Sequence, residues 1–406
     1  MLMTNWRQVK LGDICEKVYS GGTPKSSNPM YYNGNIPWLN TKEVHFNRIY
    51  KTEKYITNAG LENSSAKWVP SNSVIVAMYG ATAGNVAISF IPLTTNQACC
   101  NLITDENKST FKFIYYYLLF KNTELASLAN GGAQQNLNKQ QIKDFPINLP
   151  PLDIQKKIAG VLGALDDKIE LNNKINSNLE QQAQALFKSW FVDFEPFGGT
   201  MPDDWKVGNL LDIADYLNGL AMQKFRPAEN EKGLPVLKIK ELRQGFCDSS
   251  SELCSLNVKN EYIVNDGDVI FSWSGSLLVD FWCCGKCGLN QHLFKVTSKN
   301  FDKWFYYLWT KHYLEHFAFI AADKATTMGH IKREELEKAK VVIPSSDCYQ
   351  KMNQIMTPIY DLLISNRIEN NRLIQLRDTL LPKLMSGEID VSKVDINELN
   401  AADMLL

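Results

Sequence analysis

The chain lacks several features that would assign it to a common functional class. No stretch of about 18 consecutive apolar residues occurs in its 406 residues, and its start, MLMTNWRQVK, contains no apolar run of signal-peptide length. The sequence also contains no G-x-x-x-x-G-K-[ST] motif, which would predict a phosphate-binding loop. We therefore expect a cytoplasmic protein that does not span a membrane and has no ATP site of its own.

The cysteine count and the charge balance exclude two further classes. The nine cysteines are an odd number in a chain without secretory features, so we expect reduced thiols and not a disulfide framework. Lysine and arginine total 43 against 44 aspartate and glutamate, which gives a formal net charge of −1. Any binding to nucleic acid must therefore depend on local patches and not on a global positive field.

The order of short motifs indicates that the chain contains two diverged copies of one unit. Trp6 with LGDI returns as Trp205 with LLDI, and IPWLNTKEV (36–44) returns as LPVLKIKEL (234–242). Further pairs in the same order are VPSNSVIVAMYG (69–80) with VNDGDVIFSWSG (264–275), TTNQACC (94–100) with GLNQHLF (288–294), and NLNKQQIKDFPINLP (136–150) with HIKREELEKAKVVIP (330–344). Such self-similarity predicts that one structural unit is repeated.

The residue pattern within each copy predicts an α+β fold. Short β-rich runs bounded by glycine, proline, asparagine and aspartate are typical of strands separated by turns. Phe111 to Phe120 and Trp304 to Tyr313 predict aromatic, largely buried helices. The predicted divisions are two similar globular domains at 1–150 and 205–344, two long helices at 151–191 and 345–387, a linker at 192–204 and a C-terminal tail at 388–406.

The two long helices have the three-and-four spacing that keeps one helix face against a partner helix. The predicted pairing positions are Leu165, Asn172, Leu179 and Leu186 in the first helix, and Ile355, Ile359, Leu362, Asn366, Leu373, Leu376 and Leu380 in the second. Two asparagine side chains at a helix interface satisfy each other in only one alignment. We therefore predict an antiparallel coiled-coil pair in which Asn172 meets Asn366.

Two further features of these helices carry expectations. Pro358 falls inside the second helix and should kink or restart it. The outward faces retain the apolar residues Leu162, Ile169, Phe187 and Trp190, which we expect to await partners. If a pseudo-twofold axis relates the copies, helices of ~37 residues at ~1.5 Å per residue form a spacer of roughly 55 Å between two domains.

The ordered set of motifs resembles the specificity subunit of type I restriction-modification systems. The motifs are GGTP (21–24), IPWLNTKEV (36–44), YGATAGNVAI (79–88), TNQACC (95–100), LPPLDIQKKI (149–158), ALFKSWFVDFEPF (185–197) and QLRDTLLPKLMSGEI (375–389). The resemblance covers essentially the whole chain. The second copy departs from it where GSLLV (275–279) replaces the glycine-rich GATAG (80–84) of the first.

The resemblance implies a subunit that reads double-stranded DNA and has no catalytic residue, metal or cofactor of its own. Each globular domain would be a target recognition domain, and the paired helices would be both the spacer and a docking surface for two methyltransferase subunits. Those partners would use S-adenosylmethionine to methylate adenine N6. A restriction subunit would use ATP and magnesium to cleave DNA.

Target recognition needs side chains that reach base edges and others that hold phosphates. The candidates are polar or basic residues in or beside predicted turns. They are Lys25, Asn40, Thr41, Lys42, Arg48, Thr82, Asn85 and Gln97 in the first domain, and Lys224, Arg226, Lys238, Lys240, Arg243, Ser274, Ser276, Gln291, Lys332 and Arg333 in the second. Because the domains share framework residues but differ here, we predict two different half-sites and hence an asymmetric, two-part target.

Other functional interpretations have weaker support. NPMY (28–31) resembles the N-P-P-Y loop of adenine methyltransferases, but Met30 replaces the second proline and no G-x-G turn precedes it. Cys284 and Cys287 form C-x-x-C without a second pair, which favours a buried strand over a zinc site. The remaining alternative is a scaffold whose two domains bind other proteins. A free-standing modification enzyme would need a cofactor loop that is missing here.

Overall fold

The computed structural model describes residues 6–129, 136–323 and 331–395. The chain divides into two compact units, which we name unit 1 (residues 1–167 and 375–406) and unit 2 (residues 168–374). Each unit therefore contains a globular domain and a segment of each long helix. Part of the predicted tail, 396–406, lies outside the described residues.

The described part of the first domain contains eleven strands and four α-helices, besides short 3₁₀ turns. The strands are β1 (Arg7–Lys10), β2 (Cys15–Ser20), β3 (Tyr32–Leu39), β4 (Asn47–Ile49), β5 (Lys54–Ile56), β6 (Trp68–Val69), β7 (Ser73–Ala77), β8 (Val86–Ser89), β9 (Leu93–Thr95), β10 (Cys99–Thr104) and β11 (Pro146–Leu149). The helices are α1 (Asn58–Glu62), α2 (Phe111–Phe120), α3 (Asn122–Ser127) and α4 (Lys139–Asp144). Long helix α5 (Leu152–Phe191) follows.

The described part of the second domain repeats this order. Its strands are β12 (Lys206–Asn209), β13 (Asp215–Asn218), β14 (Leu234–Leu237), β15 (Leu253–Cys254), β16 (Ile263–Val264), β17 (Val269–Ser272), β18 (Leu278–Phe281), β19 (Cys287–Leu289), β20 (Leu293–Thr297) and β21 (Lys340–Ile343). Its helices are α6 (Leu210–Ile213), α7 (Ile239–Gln244), α8 (Lys303–His312), α9 (Leu314–Asp323) and α10 (Arg333–Lys338). Long helix α11 (Ser346–Met385) ends the repeat.

The sheet topology confirms the predicted internal repeat. In unit 1 the sheets have the orders β2-β10-β7-β8-β4, β5-β3-β9-β6 and β1-β11; in unit 2 they are β13-β20-β17-β18, β15-β14-β19-β16 and β12-β21. Apart from β4, each strand of the first domain has a counterpart with the same neighbours in the second. The α+β prediction is therefore confirmed.

An aromatic helix forms the centre of each domain core, as predicted. Helix α2 begins after Thr110, whose side chain accepts a hydrogen bond from the backbone N–H of Phe113, and residues 113–118 are all buried. Helix α8 buries residues 304–310. Because these helices are apolar on almost every side, they are covered by the sheet and by other helices.

The long helices run antiparallel within unit 2, as predicted, but their register differs from the prediction. Asn366 Nδ2 donates to Asn176 Oδ1 at 3.0 Å, and Asn172 Nδ2 donates to Asn370 Oδ1 at 2.9 Å. The predicted pair Asn172 with Asn366 is wrong. Each helix has two buried asparagines one turn apart, and all four form a ladder, whereas the prediction considered one per helix.

The buried stripe of α11 is also rotated from the predicted one. Ile355, Leu362 and Leu376 are 46–49% exposed, while Met356 and Tyr360 are buried. The reason is that α11 packs against its own domain as well as against α5: the Tyr360 ring lies 5.5 Å from that of Phe281 in β18. Of the remaining predicted pairing positions, those that are half-buried are Leu165, Leu179, Leu186, Ile359, Leu373 and Leu380.

The structure bears on two other expectations about the long helices. Helix α11 is continuous through Pro358, so the expected restart is absent. Leu162 in unit 1, and Phe187 and Trp190 in unit 2, are buried in the cores of their own units and do not await partners. Ile169 is half-buried.

The asparagine ladder generates a stability prediction. The substitution Asn366→Leu should lower the free energy of unfolding by about 1–3 kcal/mol, because it leaves the buried Asn176 Oδ1 without its donor. The double variant Asn176→Leu/Asn366→Leu should be less destabilised than this single variant, since both amides are then replaced by apolar groups. Urea denaturation of the full chain measures both effects.

The control for this experiment is Asn178→Leu. Asn178 lies on α5, two residues after Asn176, and is exposed. It should change the free energy of unfolding by no more than about 0.5 kcal/mol. A double variant less stable than Asn366→Leu would show that the two amides do not act as a pair.

Candidate nucleic-acid interface

The first domain contains a tight turn between β9 and β10 that is built around Asn96. The backbone N–H of Asn96 donates to Leu39 O at 3.0 Å, and its side-chain Oδ1 accepts from the N–H of Ala98 at 3.2 Å. A side chain that binds the backbone two residues further on stabilises a turn locally. We name residues 96–98 the Asn96 turn; it holds Gln97 exposed at the surface.

The second domain has the same turn between β19 and β20. The N–H of Asn290 donates to Leu237 O at 3.2 Å, and Asn290 Oδ1 accepts from the N–H of His292 at 3.3 Å. We name residues 290–292 the Asn290 turn. Since β9 and β19 each pair in parallel with the strand that ends at Leu39 or Leu237, both turns lie where the ends of two strands meet.

A glycine packs against the backbone of each turn. A Cβ on Gly21 would lie 2.2 Å from Thr95 O, and a Cβ on Gly219 would lie 2.2 Å from Asn290 O. The N–H of Gly21 donates to Cys99 O, and that of Gly219 to Leu293 O, at 3.2 and 3.0 Å. Only a residue without a side chain permits this approach. Each turn is therefore supported by the segment that follows β2 or β13.

In unit 2 the Asn290 turn lines a groove of about 530 Å³, most of whose lining residues have polar side chains. Five of the ten residues predicted for this domain lie in the lining: Arg226, Lys238, Lys240, Ser274 and Gln291. The other residues of the lining are Gln223, Ile239, Glu252, Gly275, Asn290 and His292. We name this the unit 2 groove. Sequence reasoning missed His292, although its place directly after the shared Asn-Gln pair was a usable signal.

The lysines of the unit 2 groove are held by weak, exposed ion pairs. Lys238 Nζ lies 2.6 Å from Glu252 Oε1, and its hydrogen bond lowers the pKa of that carboxyl. Lys240 Nζ lies 2.8 Å from Ser250 Oγ and 3.5 Å from Asp248, whose pKa is lowered to about 2, chiefly by hydrogen bonds from Ser250. Exposed pairs of this kind contribute little to stability, so both ammonium groups can exchange them for phosphate oxygens.

The other candidates of the second domain lie outside the groove lining. Arg243 lines a separate cavity of about 410 Å³ with Phe246 and Arg367. The remaining four, which are all exposed, are Lys224, Ser276, Lys332 and Arg333. The structure therefore brings half of the predicted set together.

In unit 1, Arg48 has a structural role and is not an accessible DNA contact. Its side chain is 6% exposed, forms an ion pair with Asp167 and lies over the ring of Phe90 at 5.6 Å. The prediction for Arg48 is therefore wrong. Sequence reasoning failed because the partner carboxylate lies on α5, far along the chain.

Two asparagine candidates of unit 1 hold their own loops. Asn40 caps the short 3₁₀ turn at 41–43, since its N–H donates to Glu43 Oε1 at 3.0 Å and its side chain accepts from the N–H of Lys42. Asn85 Nδ2 donates to Val44 O at 3.2 Å. The candidates that are exposed are Lys25, Lys42 and Gln97; Thr41 and Thr82 are half-buried.

Three segments of unit 1 meet around the Asn96 turn. Trp38 Nε1 donates to Gly22 O at 3.0 Å, which joins the segment after β2 to the end of β3. Thr23 Oγ1 and Gln97 Oε1 are in hydrogen-bond contact. Hydrogen bonds therefore hold the loops that contain Lys25, Lys42 and Gln97 close to one another. The corresponding segments of unit 2 also meet around their turn.

The C-x-x-C pair does not extend to a metal-ligand set in the structure. Cys287 is buried, and its Sγ lies 3.6 Å from that of Cys247. Within residues 6–129, 136–323 and 331–395, no group of three histidine, cysteine, aspartate or glutamate side chains could hold a metal ion. No helix in the same residues is long and apolar enough to cross a membrane.

These features define a class: a tandem protein of two α+β domains that present the same turn with different polar residues around it, joined to paired long helices. The model of the type I restriction modification DNA specificity domain matches residues 3–181 and 202–376. The chain belongs to this family, whose members are the DNA target-recognition, non-catalytic subunits of type I restriction-modification systems.

Individual relatives agree with this assignment. The chain is 30% identical over 417 residues to the specificity subunit of the MjaIX type I restriction enzyme of Methanocaldococcus jannaschii, with 96% of this chain and 95% of that protein covered. It is 21% identical to the specificity subunit of the HindI enzyme of Haemophilus influenzae, with 95% and 100% covered. The crystal structure of the type I S subunit from M. genitalium has a similar fold, with a TM-score of 0.60, 17% identity and 94% and 96% covered.

The close approach of Gly21 to the Asn96 turn generates a second prediction. The substitution Gly21→Ala should lower the free energy of unfolding by about 1–3 kcal/mol, because its Cβ would overlap the backbone of Thr95. Thermal unfolding of the full chain measures the change.

The matched control is Gly163→Ala in the same unit. A Cβ there would have only Lys112 Nζ nearby, at 3.8 Å, and alanine is the better helix former by ~1 kcal/mol. This variant should be as stable as the wild type or more stable. Equal stability of Gly21→Ala and wild type would contradict the close packing described here.

Proposed function

We propose that this chain reads an asymmetric, bipartite DNA target, one half-site per domain. The supporting observation is that the two domains share the backbone of one turn but surround it with different side chains. In a DNA-recognition protein, the shared backbone fixes the position of the side chains that contact bases, and the identity of those side chains determines which bases are accepted. Two turns with the same backbone but different surrounding side chains therefore favour two different half-sites.

The phosphate contacts of this proposal come from the exposed cations beside the turns. In unit 2, Lys238, Lys240 and Arg226 line the groove, with Glu252 as the acidic member. In unit 1, Lys25 and Lys42 are exposed on loops that meet around the Asn96 turn. Such local cations are sufficient for phosphate binding in a chain whose net charge is close to zero.

The long helices are proposed as the spacer and as the docking surface for two methyltransferase subunits. In unit 2, Ile355 and Leu362 are 49% and 46% exposed and lie seven residues apart on α11, hence on one helix face. Leu376 in unit 1 is 47% exposed. Leucine and isoleucine exposed in a row are typical of a helix that receives a partner.

The chemistry then belongs to the partners. We propose that the methyltransferase subunits bind S-adenosylmethionine and take the target adenine out of the duplex, and that a restriction subunit, where present, uses ATP and magnesium. The role of this chain is to position those subunits over the two half-sites. A cytoplasmic location, where the DNA and these partners are found, is part of the proposal.

The direct test is selection of bound duplexes from a randomised library by the purified full chain. We expect two different short sequence elements separated by a spacer of constant length and indifferent sequence. Affinity for the selected duplex should fall steeply as salt rises from 50 to 200 mM, since bound cations displace counterions from phosphates.

Two outcomes of this selection would contradict the proposal. A perfect palindrome would show that the two domains read the same sequence. The absence of duplex binding at every salt concentration, with a folded chain, would favour a scaffold whose domains bind proteins.

A spacer made of helices predicts a second result. Deletion of one turn from both helices, residues 168–171 and 371–374, shortens each by roughly 6 Å at ~1.5 Å per residue. The accepted gap between half-sites should then change by about two base pairs at ~3.4 Å each, while both half-sites stay the same. Selection from the randomised library reads the gap and the half-sites together.

The control removes Gly198 and Gly199 from the segment after α5, which leaves both helices intact. It should preserve the wild-type gap. An unchanged gap after the paired helix deletions, in a variant that still selects both half-sites, would refute the spacer role.

A further inference from the structure

The Asn96 turn and the Asn290 turn differ in the residue that follows the shared glutamine. The position is occupied by Ala98 in unit 1 and by His292 in unit 2, and in both turns its backbone N–H donates to the preceding asparagine side chain. Ala98 is 8% exposed and offers no polar side chain. His292 is half-buried and lines the unit 2 groove. One backbone position is therefore apolar in one domain and a hydrogen-bonding ring in the other.

The imidazole ring of His292 is held in place before any ligand binds. Its Nδ1 lies 3.1 Å from the hydroxyl of Ser274, a residue only 5% exposed, and its Nε2 lies 3.4 Å from Gln291 Nε2. The ring of Trp273 lies 6.1 Å away, and its Nε1 donates to Asn218 Oδ1 at 3.1 Å. A side chain fixed by such neighbours loses little conformational entropy when it binds.

The contacts of the ring decide which chemistry it offers to the groove. One neutral tautomer of the ring satisfies both contacts: Nε2 accepts from the amide nitrogen of Gln291, and Nδ1 donates to the hydroxyl of Ser274. The contact between Gln291 and His292 is long for a hydrogen bond and is made between two groove residues. A stronger donor that enters the groove can replace it without breaking the support from Ser274.

We propose that His292 is a specificity-determining residue of unit 2, which accepts a hydrogen bond from a base amino group in the half-site that this domain reads. The proposal rests on the proposed function. In the major groove the amino donors are N6 of adenine and N4 of cytosine. The equivalent position of unit 1, Ala98, makes no such contact, so His292 is one physical source of the difference between the half-sites.

The test compares the sequence preferences of full-length wild type, His292→Ala and His292→Phe by selection from the randomised duplex library. Both variants should lose about fivefold or more of the preference for one base pair at one position of one half-site. His292→Phe retains a flat ring for packing but has no acceptor. It therefore distinguishes loss of the hydrogen bond to a base from loss of packing beside the turn. Preference at the other half-site and the gap length should not change.

The matched control is His316→Ala, because His316 is an exposed histidine of the same unit on α9, away from the groove lining. It should select the wild-type sequence. Thermal unfolding tests whether all variants are folded. The midpoint temperatures are not expected to correlate with the loss of base preference.

The failures of the two proposals are distinguishable. A wild-type chain that selects no duplex sequence refutes the proposed function itself. A selective wild type whose preference is retained in both His292 variants, or is weakened equally at all positions, refutes only the role of His292. Wild-type binding that stays unchanged when the amino-bearing base of that pair is replaced by an analogue without its amino group overturns the assignment of His292 as an acceptor.

Discussion

In each unit a largely buried arginine connects a long helix to the globular domain, and this connection fixes how the domain is held against the helix. In unit 1, Arg48 on β4 pairs with Asp167 on α5. In unit 2, Arg367 on α11 bridges Asp280 on β18 and Glu180 on α5, at 2.6 Å from each. Burial opposes the charge on Arg367, but the two carboxylates outweigh it and raise the pKa of the guanidinium. A buried ion pair is weak evidence for stability, but removal of one partner is strongly destabilising because it leaves a buried charge uncompensated.

Within each domain, strand pairing and glycine packing fix the position of the turn. Parallel pairing of β3 with β9, and of β14 with β19, brings two strand ends together, and a glycine packs against the backbone of each turn. None of these contacts involves the side chains that face the groove. These contacts are made by the backbone, so substitution of Gln97 or Gln291 leaves them in place, whereas substitution of a framework glycine does not.

Much of this architecture could be predicted from the sequence, because short motifs and their order survive in both copies. The aromatic helices and the antiparallel pairing follow from local composition and spacing. The asparagine register could not be predicted, since four asparagines allow more than one alignment and only packing selects among them. The role of Arg48 depends on Asp167, and the exposure of Ile355 depends on the contact of α11 with its own domain. Neither depends on local sequence.

The polar candidates of the two domains differ in what their side chains contact. Residues such as Lys238 and Arg226 lie beside a turn and line the groove, so their polarity is used at the surface. Asn40 and Asn85 also lie beside turns, but their amides satisfy backbone groups of their own loops. Asparagine serves both purposes equally well, because it can cap a turn or contact a base. A long cation cannot cap a turn in this way, so an exposed lysine or arginine near a turn is the stronger sequence signal for ligand contact.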